Sequence, residues 1–188
     1  MHATLLFVPG LREHVEDHWQ THLARDIAGS RTVPPLVENR LSLDARVTAL
    51  DETLNKIEGD VILAAHSAGV LMVTHWARKP SRSIRGALLA TPADVEMPLP
   101  AGYPAHDELT RNGWLPVPRR PLPFPAIVVA SRNDPLAKFD RVASFAQSWR
   151  ARLINGGEIG HLNPAAGFGP WALARQLIAE LDQETENA

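Results

Sequence analysis

Short apolar segments alternate along the chain with longer amphipathic ones. Apolar segments of about five residues are typical of strands buried on both faces, which implies parallel strands joined by crossover helices. We therefore expect a doubly wound α/β fold with about six parallel strands, in the order 2-1-3-4-5-6, and helices on both faces. The predicted strands are Thr4–Val8, Arg31–Val33, Val61–Ala65, Gly86–Ala90, Ala126–Ser131 and Arg152–Ile154; the predicted helices are Asp17–Ala28, Ser42–Glu58, Ala68–Arg78, Pro135–Arg150 and Pro170–Leu181.

One long segment interrupts this alternation within what we expect to be a single domain over residues 1–188. Residues 92–125, the proline-rich segment, contain nine of the sixteen prolines and no clear long helix. Its many apolar side chains argue against disorder, and loops this long are usually functional. We expect it to pack over the carboxyl ends of the strands as a small cap, with Tyr103 and Trp114 as candidate walls of a substrate pocket. A compact surface loop with its own small core is the alternative.

Composition narrows the classes of function. Of the 188 residues, 45% are hydrophobic, which is enough for a sizeable core. A formal net charge of −2 leaves no basic surface for nucleic acid or an anionic membrane. The chain has no cysteine, which excludes disulfides and thiolate chemistry. The N-terminal apolar run lacks a basic flank and breaks at Pro9, so it fits neither a signal peptide nor a membrane span, and we expect a cytoplasmic protein.

The junction after the third predicted strand carries the clearest chemical signal. Val61–Ala65 leads directly into His66-Ser67-Ala68-Gly69, and an apolar, helix-compatible stretch follows. A serine on a sharp strand-to-helix turn, with small residues two positions away on each side, is typical of a nucleophile elbow. Ser67 is thus the candidate nucleophile, and His66 is the variable residue of the elbow. Because the motif is short, a helix N-cap at Ser67 is the alternative interpretation.

A serine nucleophile needs a general base and an acid that orients this base, and both have candidates at later strand ends. Asp134 follows the fifth predicted strand, and His161 lies in a glycine-containing loop after the sixth. Functional residues of open α/β sheets gather at the carboxyl edge of the strands. We therefore expect Ser67, Asp134 and His161 to form a catalytic triad in the chain order Ser…Asp…His. Asp134 also fits a helix N-cap before Pro135, and Asp94 is the reserve candidate for the acid.

Two backbone N–H groups are needed to stabilise the oxyanion of such a reaction. Ala68 follows the nucleophile and supplies one of them at a helix N-terminus. The other candidate is the amide of Leu11, which follows a Pro9-Gly10 turn after the first strand.

The remaining patterns argue against metal and cofactor sites. His14, His18 and His22 are spaced by four residues, so on a helix they would share a face and could bind a metal. No H-E-x-x-H pattern accompanies them, and we expect them on a polar surface, without a metal. Neither G-x-G-x-x-G nor G-x-x-x-x-G-K-[ST] occurs, which argues against nucleotide binding. We expect no cofactor.

Six segments spread over nearly the whole chain together form a family-like pattern: Phe7–Leu11, Asp17–Gln20, Ala65–Gly69, Ala130–Pro135, Gly160–Asn163 and Gly167–Trp171. In these segments the chain resembles the small serine hydrolases related to retinoblastoma-binding protein 9. The resemblance implies an α/β-hydrolase fold, a serine, aspartate and histidine triad at Ser67, Asp134 and His161, and hydrolysis of small esters or amides. The binding role that named the family depends on a Leu-x-Cys-x-Glu type motif, and it does not carry over because the chain has no cysteine.

Two functional hypotheses follow. The first is a serine hydrolase that cleaves small-molecule esters or amides through an acyl-enzyme on Ser67, with neither nucleic acid nor membrane as a partner. The second is a hydrolase-like protein-interaction module with little or no turnover and an unknown protein partner, motivated by the apolar content of residues 97–124.

Overall fold

A six-stranded sheet forms the centre of the protein. The computed structural model describes residues 3–184 of the chain. All neighbouring strands are parallel and lie in the order β2-β1-β3-β4-β5-β6, so the predicted strand positions and order are confirmed. The strands are β1 (Thr4–Val8), β2 (Arg31–Thr32), β3 (Val61–His66), β4 (Gly86–Ala90), β5 (Ala126–Ala130) and β6 (Arg152–Asn155).

In the described part of the chain, six helices and a short 3₁₀ turn at Pro164–Ala166 accompany the sheet. The five predicted helices are present, mostly within shorter bounds, and α2 begins as expected after Ser42, whose side chain accepts from the Ala45 N–H. The helix α4 was not predicted because its six residues bury only Leu109 and so show no apolar period. The helices are α1 (Trp19–Asp26), α2 (Leu43–Asn55), α3 (Ala68–Trp76), α4 (His106–Arg111), α5 (Phe139–Trp149) and α6 (Ala172–Glu184).

Both faces of the sheet are covered. In β1, Leu6 and Val8 point into one apolar cluster, which includes residues of α2, α3 and α5. Leu5 and Phe7 point into a second cluster on the opposite face, with residues of α1 and α6. Alternate side chains of a strand face opposite sides of a sheet, so burial on both sides explains why the strands are apolar at nearly every position.

The proline-rich segment divides into two parts with different positions. Residues 93–104 contribute to the wall of a cavity at the carboxyl edge of the sheet, as expected for a cap. Residues 105–125 pack on the core instead, where Leu109, Trp114 and Val117 are buried. Only the first part therefore covers the strand ends.

Within residues 3–184, none of the helices combines the length and the apolar character that crossing a membrane requires.

Gly69 determines how closely α3 approaches β1. A Cβ atom at this position would lie 2.2 Å from the carbonyl oxygen of Val8 and 2.7 Å from that of Pro9. Both obstacles are backbone atoms, which cannot rotate away as a flexible side chain can. Glycine at residue 69 therefore lets the start of α3 lie directly against the loop that follows β1.

We expect Gly69→Ala to lower the free energy of unfolding by at least about 3 kcal/mol, because a forced backbone shift lies at the upper end of overpacking costs. Urea unfolding of the purified variant measures this change. Gly169→Ala is the matched control, since a Cβ there would meet its nearest atom, the carbonyl oxygen of Asp17, at an ordinary 3.4 Å. Equal stability of the two variants would contradict the steric explanation.

Candidate active site

Ser67 occupies the sharp turn between β3 and α3. Its backbone has φ 57° and ψ −124°, a conformation that non-glycine residues rarely adopt and that stores strain. Ser67 occupies the N-cap position of α3, but its side chain makes no capping hydrogen bond, so the interpretation of this serine as a side-chain cap is wrong. The hydroxyl oxygen lies instead 2.8 Å from Nε2 of His161.

The three predicted triad residues lie in one hydrogen-bonded line. Nδ1 of His161 is 2.9 and 3.0 Å from the two carboxylate oxygens of Asp134. The side chains are nearly enclosed, with 5% of His161 and 1% of Asp134 exposed. Because Nδ1 faces a carboxylate, it carries the proton, which leaves Nε2 free to accept the proton of the Ser67 hydroxyl.

Hydrogen bonds join the two loops that carry Asp134 and His161. Oδ1 of Asn133 accepts from the Gly160 N–H at 2.7 Å and from the Ser131 hydroxyl at 2.9 Å. Asn133 precedes Asp134 and Gly160 precedes His161, so this side chain sets the spacing between the acid and the base. The sequence pattern assigns Asn133 no role, and its place next to the candidate acid is the only signal.

Two more buried histidines, His66 and His18, pack one after the other next to His161. His66 donates from Nε2 to the backbone oxygen of His161 at 2.9 Å. The ring centroids of His66 and His161 are 4.9 Å apart, and those of His18 and His66 are 4.5 Å apart. Burial lowers the pKa of His66 well below its usual value and the pKa of His18 to about 4, and the neighbouring His161 is the next cause for both. Both rings are thus neutral at pH 7, and His66 fixes the backbone of the candidate base.

The three histidines at four-residue spacing have separate partners. The surface prediction is wrong for His18, which is 6% exposed because its ring packs against those of Trp19 and His66. Its Nδ1 accepts from a backbone N–H, that of residue 20, and so caps α1. Nε2 of His14 is 3.2 Å from a carboxylate oxygen of Glu16, and Nε2 of His22 is 3.4 Å from one of Asp17. Among residues 3–184, no group of three His, Asp or Glu residues is placed to hold a metal ion.

The structure brings both predicted oxyanion donors to the serine. Ala68 is the first residue of α3, so its N–H belongs to the first turn, which has no intrahelical acceptor. Leu11 lies in a turn closed by a hydrogen bond from the Glu13 N–H to the Gly10 oxygen at 3.0 Å. A Cβ at Gly10 would be only 3.2 Å from Cβ of Ser67, so this turn lies against the nucleophile. The roles of the two amides as donors stay a prediction.

A cavity of about 430 Å³ opens in front of Ser67. Tyr103 lines it, as expected, but Trp114 does not. Trp114 is fully buried in the core, where its Nε1 donates to the Leu41 oxygen at 2.7 Å, because the chain turns back onto the core after α4. This position corrects the expectation that Trp114 walls a substrate pocket. The apolar part of the wall includes Leu11, Val15, Leu41, Ala93, Val95, Leu99 and Leu136.

Asp94, the reserve candidate for the acid, is used elsewhere. Its two carboxylate oxygens accept from Arg141 of α5 at 2.8 and 3.0 Å, and the side chain is 3% exposed. Arg141 also donates to Glu96 at 2.6 Å, so these ion pairs fasten the start of the proline-rich segment to α5. Asp134, and not Asp94, contacts His161.

The chain is similar to known proteins both in sequence and in fold. A family model described as serine hydrolase matches residues 5–180. The crystal structure of a protein described as a YdeN-like hydrolase, from Pectobacterium atrosepticum, is 32% identical and superposes with a TM-score of 0.82, over 96% of this chain and 90% of that one. The ydeN product of B. subtilis is 16% identical, with a TM-score of 0.68 over 95% and 98% of the two chains.

A more distant structure shares the fold. Est1E from Butyrivibrio proteoclasticus, solved with ferulic acid bound, is 12% identical with a TM-score of 0.71, over 99% of this chain and 90% of that one. No curated protein is significantly similar to the chain in sequence.

The neutral state of the buried histidines predicts how stability depends on pH. An unfolded histidine takes up a proton below about pH 6.5, whereas folded His18 stays neutral down to about pH 4. The unfolded state therefore binds more protons in this range, and the free energy of unfolding falls as the pH drops. In His18→Asn, which retains a capping oxygen, we expect the fall from pH 7 to pH 5 to be smaller by about 1–2 kcal/mol.

Urea unfolding of the wild type and of His18→Asn at both pH values measures this difference. His106→Asn, which removes an exposed histidine of α4, is the control for the loss of one imidazole. Parallel pH dependence in the wild type and His18→Asn would contradict the prediction.

Proposed function

The chain belongs to the serine hydrolase family, and we propose that it cleaves small carboxylic esters or amides through an acyl-enzyme on Ser67. One observation carries the proposal: the hydroxyl of Ser67, the imidazole of His161 and the carboxylate of Asp134 lie in line at hydrogen-bonding distance. This arrangement supplies a nucleophile, a base and an orienting acid in the roles that acyl transfer requires.

In the first half of the reaction, Oγ of Ser67 attacks the substrate carbonyl carbon while Nε2 of His161 takes the hydroxyl proton. The oxyanion that forms accepts hydrogen bonds from the backbone amides of Leu11 and Ala68. Asp134 holds the imidazole in position and stabilises its positive charge. His161 then gives the proton to the leaving oxygen or nitrogen, the bond to this atom breaks, and an alcohol or amine departs.

In the second half, water replaces the leaving group. Nε2 of His161 takes a proton from the water while the water oxygen adds to the acyl carbon, and the oxyanion forms again between the two amides. When this intermediate collapses, the bond to Oγ breaks and His161 returns the proton to Ser67. The products are a carboxylic acid and the free serine.

The shape of the site supports a small-molecule substrate. A cavity of about 430 Å³ with a mostly apolar wall is of the size that encloses a small ligand. Neither nucleic acid nor a membrane is required as a partner, and a cytoplasmic location remains a prediction of the sequence.

The alternative hypothesis, a protein-interaction module, is less well supported. It requires that apolar side chains in residues 97–124 are exposed. Leu109, Trp114 and Val117 are buried there, and the large hydrophobic residue that stays exposed is Met97, at 55%.

We expect Ser67→Ala to abolish turnover of 4-nitrophenyl butyrate and labelling by a fluorophosphonate probe, because both reactions need the Ser67 hydroxyl. Ser83→Ala, at an exposed serine before β4, is the matched control and should retain both. Circular dichroism checks that the fold is intact. Probe labelling that persists in Ser67→Ala would refute the nucleophile assignment.

The acid assignment has its own test in two Asp→Asn variants. We expect Asp134→Asn to lower kcat by roughly a thousandfold or more, because an amide at this position favours the wrong tautomer of His161. Asp94→Asn weakens the ion pair with Arg141. It should lower kcat by less than about tenfold, because it affects only how the proline-rich segment is attached to α5. Steady-state hydrolysis of the same ester measures both, and the reverse order of effects would assign the role to Asp94.

A further inference from the structure

Four charged side chains line the catalytic cavity: Arg12, Glu13, Arg40 and Arg46. Three guanidinium groups and one carboxylate leave two positive charges in excess at pH 7. The rest of the wall is largely apolar.

Two of the three arginines, Arg40 and Arg46, donate hydrogen bonds to other groups of the protein. Arg46 is buried and donates to Glu13 at 3.3 Å and to the backbone oxygen of Arg40 at 2.7 Å. Arg40 donates to Glu13 at 2.7 Å. The Glu13 carboxylate also accepts from the Leu36 N–H at 3.1 Å, and its side chain is only 9% exposed. The single carboxylate of the cavity wall is therefore satisfied by groups other than Arg12.

Arg12 differs from the other two. Among residues 3–184, no carboxylate forms an ion pair with it, and its guanidinium carbon lies 5.3 Å from the ring centroid of Tyr103. Arg12 is an exposed residue, and a cation–π contact of this kind leaves its N–H donors free. A guanidinium at the wall of the catalytic cavity that pairs with no carboxylate of residues 3–184 is thus available to a ligand.

The position of Arg12 relates it to the reacting atoms. It follows Leu11, the proposed oxyanion donor, in the turn whose Gly10 lies against Ser67. Arg12 comes two residues after Gly10, which lies next to Ser67. Because consecutive Cα atoms are about 3.8 Å apart, the backbone of Arg12 is close to the nucleophile turn. Tyr103, which the guanidinium contacts, lines the same cavity as Ser67, so a group bound by Arg12 would share this cavity with the scissile carbonyl.

We propose that the substrate is an ester or amide that carries a carboxylate, and that Arg12 binds this carboxylate. The inference rests on the proposed hydrolase function and names its substrate class. The planar guanidinium matches a carboxylate with two parallel hydrogen bonds, and the apolar wall takes the intervening carbons. Substrates of this class are half-esters or half-amides of short dicarboxylic acids, or esters whose leaving group is itself an acid.

Paired esters test the turnover of this class. 4-Nitrophenyl hemiglutarate against 4-nitrophenyl valerate places the carboxylate on the acyl side. The butyrate ester of 5-hydroxy-2-nitrobenzoic acid, whose phenol oxygen is para to the nitro group, against 4-nitrophenyl butyrate places it on the leaving group. The readout is the ratio of kcat/KM for the anionic ester to that for its neutral counterpart. We expect Arg12→Gln to lower this ratio about tenfold or more in one of the pairs, and Arg12→Lys to lower it less.

Arg31→Gln is the matched control, because it removes the same charge at an exposed position on β2. Arg31 donates to the carbonyl oxygens of Gly29 and Ser30 and does not line the cavity, so the ratio should not change. Ratios in Arg12→Gln that equal those of Arg31→Gln in both pairs would overturn the inference.

A binding measurement separates this inference from the hydrolase proposal. Calorimetric titration of Ser67→Ala with 4-nitrophenyl hemiglutarate and with the acid-bearing butyrate ester measures recognition without turnover. We expect at least one of them to bind about tenfold or more weakly when Arg12→Gln is added to Ser67→Ala. If the wild type neither hydrolyses any ester nor reacts with the fluorophosphonate probe, the hydrolase proposal fails. The titration then still tests whether Arg12 binds the carboxylate of the ligand. Equal affinities of the single and double variants for both esters would overturn the inference.

Discussion

The close contact between the start of α3 and the end of β1 is the constraint on which the site depends. The missing side chain at Gly69 lets the helix lie against the carbonyl oxygens of Val8 and Pro9. This contact holds the strained turn at Ser67 beside the loop that carries Gly10 and Leu11. The nucleophile, both proposed oxyanion donors and Arg12 therefore share one small region, although they come from the connections after two different strands.

The candidate base His161 is contacted by a neutral histidine, His66, through its backbone and by the carboxylate of Asp134 through its ring. Burial keeps His66 uncharged, so its ring can donate to the backbone of His161 without placing a positive charge behind the base. Asn133 ties the loop of Asp134 to the loop of His161. Together these contacts orient the imidazole of His161 as the reaction requires. Its proton-accepting nitrogen faces Ser67, and the negative charge of Asp134 lies at the opposite nitrogen.

The proline-rich segment serves the site through two separate sets of contacts. Its first part shapes the cavity and supplies Tyr103, whose ring contacts the Arg12 guanidinium. Its second part braces the core: Trp149 of α5 donates to the Pro118 oxygen at 2.8 Å and accepts from the Leu122 N–H at 3.1 Å. A rigid attachment of the second part lets the first part keep a defined shape above the strand ends.

The sequence by itself determined the sheet, its strand order and the three residues at the strand ends. Buried parallel strands need apolar residues on both faces, and the order of Ser67, Asp134 and His161 follows the order of the strands that carry them. Only the tertiary structure decided that Tyr103 faces the cavity while Trp114 enters the core, and that His18 and His66 are buried. It also decided that Arg12 pairs with no carboxylate within residues 3–184. The physical reason is that exposure and pairing depend on contacts between residues far apart in the chain, whereas periodicity and turn chemistry are local.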